Sequence, residues 1–172
     1  LGGEAEAQVP SDLTEIVKIA AGKYHSLALR SDGTVVFWGD RESVLGAIPE
    51  GLTGVKAIAV GPRGSLALAG NGRLVQWGYL SDSDPDPPAL LTDAASLTLG
   101  HWSAFALSAN GELAAWGREG IDEIQSKIRL VDAYDYYTLA VRSDGSVIYW
   151  GNNSTRFPPS DLLGFKAIAD GG

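Results

Sequence analysis

Apolar positions along this chain fall into short runs broken by glycine or polar punctuation, and the runs return in groups of three. The first group is residues 19–39, IAAGKYHSLALRSDGTVVFWG. It recurs as IAVGPRGSLALAGNGRLVQWG over 58–78, LTLGHWSAFALSANGELAAWG over 97–117 and VDAYDYYTLAVRSDGSVIYWG over 131–151. Measured between Trp38, Trp77, Trp116 and Trp150, the steps are 39, 39 and 34 residues. Repetition at that period marks a solenoid, a propeller or another stacked array.

Runs this short suit strands rather than helices. In each copy the second and third runs are joined by Asp32-Gly33, Asn71-Gly72, Asn110-Gly111 or Asp144-Gly145. Such pairs predict a β-hairpin closed by a two-residue type I′ turn. Ala28, Ala67, Ala106 and Ala140 share one register and are flanked by large apolar residues, so that strand is apolar on both faces. A sheet covered on both sides needs a neighbour on each. Blades stacked around an axis meet the demand, and the predicted fold class is all-β, a β-propeller. The four tryptophans are then packing residues between blades.

Residues 1–18 repeat 40–57 without a gap, and Ile168, Ala169, Asp170 and Gly171 repeat Ile58, Ala59, Val60 and Gly61. The chain therefore reads as one domain over 1–172, with four full repeats and a partial one at each end. Both ends supply a connector and a first strand; neither supplies the missing hairpin. The expectation is a segment of a longer ring of about seven blades, or a ring completed by another chain. The lack of any Met likewise predicts a processed product or part of a longer one. The fourth copy carries Tyr134 where the others carry glycine, so its backbone should differ if that site takes positive φ.

Composition narrows the function classes. A net charge of −8 and a pI near 4.6, with 13 scattered basic residues, oppose binding to a nucleic-acid backbone. No apolar run is long enough for a membrane-spanning helix. With no cysteine, disulfides and thiolate chemistry are excluded. No phosphate loop, HExxH or nucleophile elbow is present, and consecutive strand residues His25 and Ser26 point to opposite faces. No catalytic residues, cofactor or metal are expected. Asp82, Asp84 and Asp86 resemble the start of a calcium loop, but Pro87 stands where glycine is needed and Asp93 where a glutamate is usual, so a solvated loop is the plainer reading. Two overlapping glycosylation triplets begin at Asn152 and Asn153.

What the repeat leaves free is more telling. Between the first and second runs lie Lys23-Tyr24, Pro62-Arg63, His101-Trp102 and Asp135-Tyr136. The second position reads Tyr, Arg, Trp, Tyr, the residue types enriched in interface hot spots. A cyclic array sets these loops around one face, either as anchors for a partner or turned inward to plug the channel.

The cadence IAAG, aromatic, HSLAL, then DG, then V-x-x-WG resembles the repeat of the regulator of chromosome condensation superfamily. Within it, the 39-residue period and connectors such as AEAQVPSD are most similar to the bacterial β-lactamase-inhibitory proteins of type II. That resemblance implies a non-enzymatic, bacterial, extracellular or cell-surface propeller that binds another protein, such as a β-lactamase, through one face. Tyr24, Trp102 and Tyr136 fall on the inhibitors' aromatic contact position, from which Arg63 departs. With Lys23, His101 and Asp135 they form the expected partner-binding set. The alternative is an assembly subunit whose incomplete repeats pair with other chains.

Overall fold

The computed structural model describes residues 9–39, 47–62, 64–78, 87–88, 94–117, 127–134 and 137–151. Twelve strands form four three-stranded antiparallel sheets in chain order. The first blade is β1 (Ile16–Ala21), β2 (His25–Arg30) and β3 (Val35–Gly39); the second is β4 (Ala57–Val60), β5 (Gly64–Leu68) and β6 (Leu74–Gly78). The third is β7 (Ala94–Leu99), β8 (Ser103–Ser108) and β9 (Leu113–Gly117), and the fourth β10 (Ile128–Tyr134), β11 (Tyr137–Arg142) and β12 (Val147–Gly151). Each blade is a meander, as the grouping of runs predicts.

The blades stack large side chains on small ones. Leu27 and Leu29 of the first blade share a core with Ile58, Ala67 and Trp77 of the second. Leu66 and Leu68 then meet Leu97, Ala106 and Trp116 of the third, and Phe105 and Leu107 meet Ile128, Ala133 and Ala140 of the fourth. The repeated alanine is thus the socket that receives the preceding blade's large pair. The middle strands are the most buried elements; every residue of β5 and of β8 is buried. Trp77 and Trp116 are buried at 7% and 8% exposure, while Trp38 is half-buried.

The hairpin turns differ from the type I′ expectation. Gly33 N donates to Arg30 O at 3.0 Å and Arg30 N to Thr34 O at 2.9 Å, and of the loop residues only Gly33, with φ 83°, is left-handed. This is a three-residue loop, a type I turn followed by a left-handed glycine. The same pair of bonds recurs at Gly72, Gly111 and Gly145. Asp and Asn are used for their side chains: Asp32 Oδ1 accepts from Thr34 N at 2.8 Å and from Thr34 Oγ1 at 2.7 Å, and Asn71, Asn110 and Asp144 accept from the equivalent amides. The bond from the Thr34 amide, followed by that from its hydroxyl, holds the Asp32 carboxyl below its ordinary range.

Turn glycines also clip blade to blade. Val55 N donates to Gly33 O at 3.0 Å and Ile128 N to Gly111 O at 3.1 Å. A Cβ on Gly33 would lie 2.8 Å from Gly54 Cα, so this position needs glycine for its dihedral and for the neighbour's approach.

The glycine that ends each Trp-Gly pair props the opposite end of the blade. Gly39 and Gly117 take φ of 121° and 123°, and a Cβ would come within 2.5 Å of Tyr24 O in the first case and 2.2 Å of Trp102 O in the second. Gly51 also has positive φ, 78°, but nothing lies within 4 Å of its would-be Cβ. Gly117→Ala is therefore expected to lose at least about 3 kcal/mol of unfolding free energy, against about 1 kcal/mol for Gly51→Ala. Urea denaturation measures both; equal losses would reduce the role of Gly117 to its dihedral alone.

Candidate functional site

The loops between first and second strands begin from one line of touching backbones. A Cβ on Gly22 would meet Gly61 O at 2.4 Å, one on Gly61 would meet Leu99 O at 2.8 Å, and one on Gly100 would meet the Ala133 Cβ at 3.3 Å. None of the three has positive φ. The glycine is kept because the next blade's backbone is there, which corrects the dihedral reading of this position. Tyr134 occurs in the fourth blade, beyond which no further described blade is stacked. There β10 simply runs on, with Tyr134 paired to Tyr137.

These contacts bring the β1–β2, β4–β5 and β7–β8 loops and the β10–β11 connection to one face. Lys23 is exposed, with Nζ 5.1 Å from the centre of the half-buried Tyr24 ring. His101 and Trp102, both half-buried, hold their rings 4.5 Å apart at 33°. Half-burial suits an anchor, since the apolar body rests on the blade while the rest stays open to a partner. Arg63, Asp135 and Tyr136 lie outside the described residues, as do Asp82, Asp84, Asp86 and the glycosylation triplets.

A pair that sequence reasoning missed lies beneath this face. His25 Nε2 is 2.7 Å from Ser65 Oγ of the next blade, and the two residues are 3% and 1% exposed. His25 stacks on Phe37 at 5.3 Å and 21°, and its Nδ1 is buried with no hydrogen-bond partner. Burial pushes the His25 pKa down from 6.5 to about 4. A hydroxyl and an imidazole at this distance resemble half of a nucleophilic dyad. With both groups sealed from solvent, they serve as a polar clip between blades. The register explains the oversight: the partner is 40 positions away, and only the blade stack identifies it.

A second polar clip joins Trp116 Nε1 to Gln76 Oε1 at 2.9 Å. At the equivalent place Trp77 faces Phe37, and its Nε1 is buried without a partner. Elsewhere, a recess of about 320 Å³ lies between Val35, Val36, Phe37 and Ile48, bordered by the Asp12–Arg30 ion pair at 3.6 Å. Among the described residues no three His, Asp or Glu side chains gather as a metal site, and no helix is long and apolar enough to cross a membrane.

Residues 16–42 match the model of the regulator of chromosome condensation (RCC1) repeat. A comparison with curated protein sequences returns no match. Among solved structures, yeast RCC1 (Prp20) bound to Kap60 has a TM-score of 0.68 at 24% identity, over 90% of this chain and 49% of that one. The CRINKLY WD40 ectodomain of the Arabidopsis thaliana receptor kinase ACR4 has a TM-score of 0.67 at 23% identity, over 86% and 54%. Prp20p of Saccharomyces cerevisiae, whose binding to Gsp1p and histones was described with its structure, has 0.66 at 23%, over 90% and 50%. The chain thus spans about half the length of each. The repeat is of the RCC1 type, and the fold is part of an RCC1-like β-propeller.

The buried histidine makes stability depend on pH with a defined sign. Its folded pKa, about 4, lies below the unfolded 6.5, so its contribution is complete above pH 6.5 and is lost as pH falls toward 4. One such group gives a slope approaching about 1.4 kcal/mol per pH unit inside that window. His25→Gln should flatten the fall in melting temperature between pH 6.5 and 4.5; an unchanged slope would show that His25 is not the group being protonated.

Proposed function

We propose that this chain is a non-catalytic protein-binding module that grips its partner through the loops on one face. The observation that carries the reading is the contrast within each blade. Side chains fixed from copy to copy stack the sheets, while Tyr24 and Trp102, free to vary, sit half-buried at the same end of neighbouring meanders. Fixed backbones at both ends of a two-residue loop leave little to order on binding, which favours affinity.

Other members of the fold point the same way: yeast RCC1 was solved with Kap60 bound, and Prp20p binds Gsp1p and histones. An acidic chain of net charge −8 is suited to a protein target with a basic surface rather than to a nucleic-acid backbone. Among enzymes, the repeat cadence singles out a β-lactamase as the first target to assay, and with it a secreted bacterial setting.

Titration of the purified chain against a β-lactamase turning over a chromogenic substrate tests the narrow form of the proposal. Affinity capture from the native source, followed by calorimetry with the captured protein, tests the broad one. Trp102→Ala is expected to weaken that complex by at least about 2 kcal/mol, some thirtyfold in Kd. A dissociation constant that stays put while the melting temperature drops would make Trp102 a packing residue and remove the loop face from the proposal.

A further inference from the structure

The blade interface is directional, and the array leaves one half of it uncovered at each end. At every described junction, the Leu, Leu pair on one blade's trailing face meets the Ile or Leu, Ala and Trp on the leading face of the next. The first blade carries that leading face with no blade upon it: Ile19 is 70% exposed, whereas its register equivalents Ile58 and Leu97 are 1% and 6% exposed. Val36 and Trp38, on the same face, are half-buried. The fourth blade carries the complementary trailing face, where Leu139, Val147 and Tyr149 are half-buried at the positions of Leu27, Val35 and Phe37.

We infer that a second copy of this chain occupies this open face, so that the fourth blade of each copy packs on the first blade of the other and two copies close one ring. Three observations favour that occupant. The two free faces reproduce, position for position, the halves of an interface the molecule already makes three times. The chain superimposes on about half of each solved propeller, at 49% to 54% of their length, so a complement of equal size restores the whole. The junction also fits at its tightest point. It sets position 134, where the repeat glycine is not kept, against Ala21, where the second and third blades carry the bulkier Val60 and Leu99. At the same junction Trp38 meets Tyr149 of the second copy, as Trp77 meets Phe37 and Trp116 meets Gln76.

This inference rests on blade faces and not on the loop face, so it stands or falls independently of partner binding. The experiment is light scattering during size-exclusion chromatography on the 172-residue chain at tens of micromolar, with circular dichroism to confirm folding. The expected mass is near 36 kDa, twice the 18.0 kDa of one chain, and Ile19→Asp should return a folded species of half that mass. A wild-type monomer, a ladder of higher masses or a dimer indifferent to Ile19→Asp would each overturn the closed pair. Because the chain has no cysteine, Ile19→Cys and Leu139→Cys report geometry directly. Mixed together they should be joined by a short bismaleimide, while Ile19→Cys alone should not link to itself; the reverse pattern would overturn the head-to-tail arrangement.

Discussion

The close approach of successive first strands is the constraint on which this molecule depends. With only hydrogen at Gly22 and Gly61, the neighbouring backbone carbonyl comes to where a Cβ would stand, 2.4 and 2.8 Å away. At that spacing the Leu27 and Leu29 pair reaches the alanine socket of the second blade, and Leu66 and Leu68 reach that of the third. Each fully buried leucine is worth roughly 1.5 to 3 kcal/mol. A methyl group at Gly22 would push the strands apart and withdraw several such side chains at once. Packing, and with it the common face of the loops, follows from an atom that is missing.

Polar groups trapped between blades are handled differently at each junction. The first holds His25 against Ser65, with Nδ1 left over, and seats Phe37 where an acceptor for the Trp77 indole would be. The second supplies that acceptor as Gln76, and Trp116 is satisfied. At the third, Thr98 Oγ1 donates to Val131 O at 3.2 Å. A buried group without a partner costs about 1 to 3 kcal/mol, so the first junction holds its polar groups least economically and relies most on apolar area. Such local solutions let the repeats drift in sequence while their geometry is kept.

Much of the fold was legible because it is written four times. Run lengths gave the strands, shared register gave the blades, and the alanine between large residues announced a sheet covered on both sides. The errors came where one residue type serves two physical ends. Asp-Gly was read as a type I′ pair, yet Asp32 is used for its carboxylate and only Gly33 for its dihedral. The glycine replaced at Tyr134 was read as a dihedral requirement, and it is a steric one. His25 was weighed against Ser26, its neighbour in sequence; Ser65 is its neighbour in space, and only the stacking order brings the two together. Tyr24 and Trp102 could be ranked by residue type, but their half-burial depends on how the loop lies over the blade, which periodicity does not encode.

The same two glycines per blade that permit stacking also decide how the loop face can act. Tyr24 lies between Gly22, pinned by the second blade, and the carbonyl against which Gly39 is pressed; Trp102 lies likewise between Gly100 and the contact with Gly117. Short loops held at both ends can change side chains freely, because neither anchor depends on the residues between them. They cannot change path, because each anchor is a backbone contact. Variation in such a molecule is therefore confined to chemistry presented at fixed positions, the condition under which a repeated scaffold can acquire a specific partner without refolding.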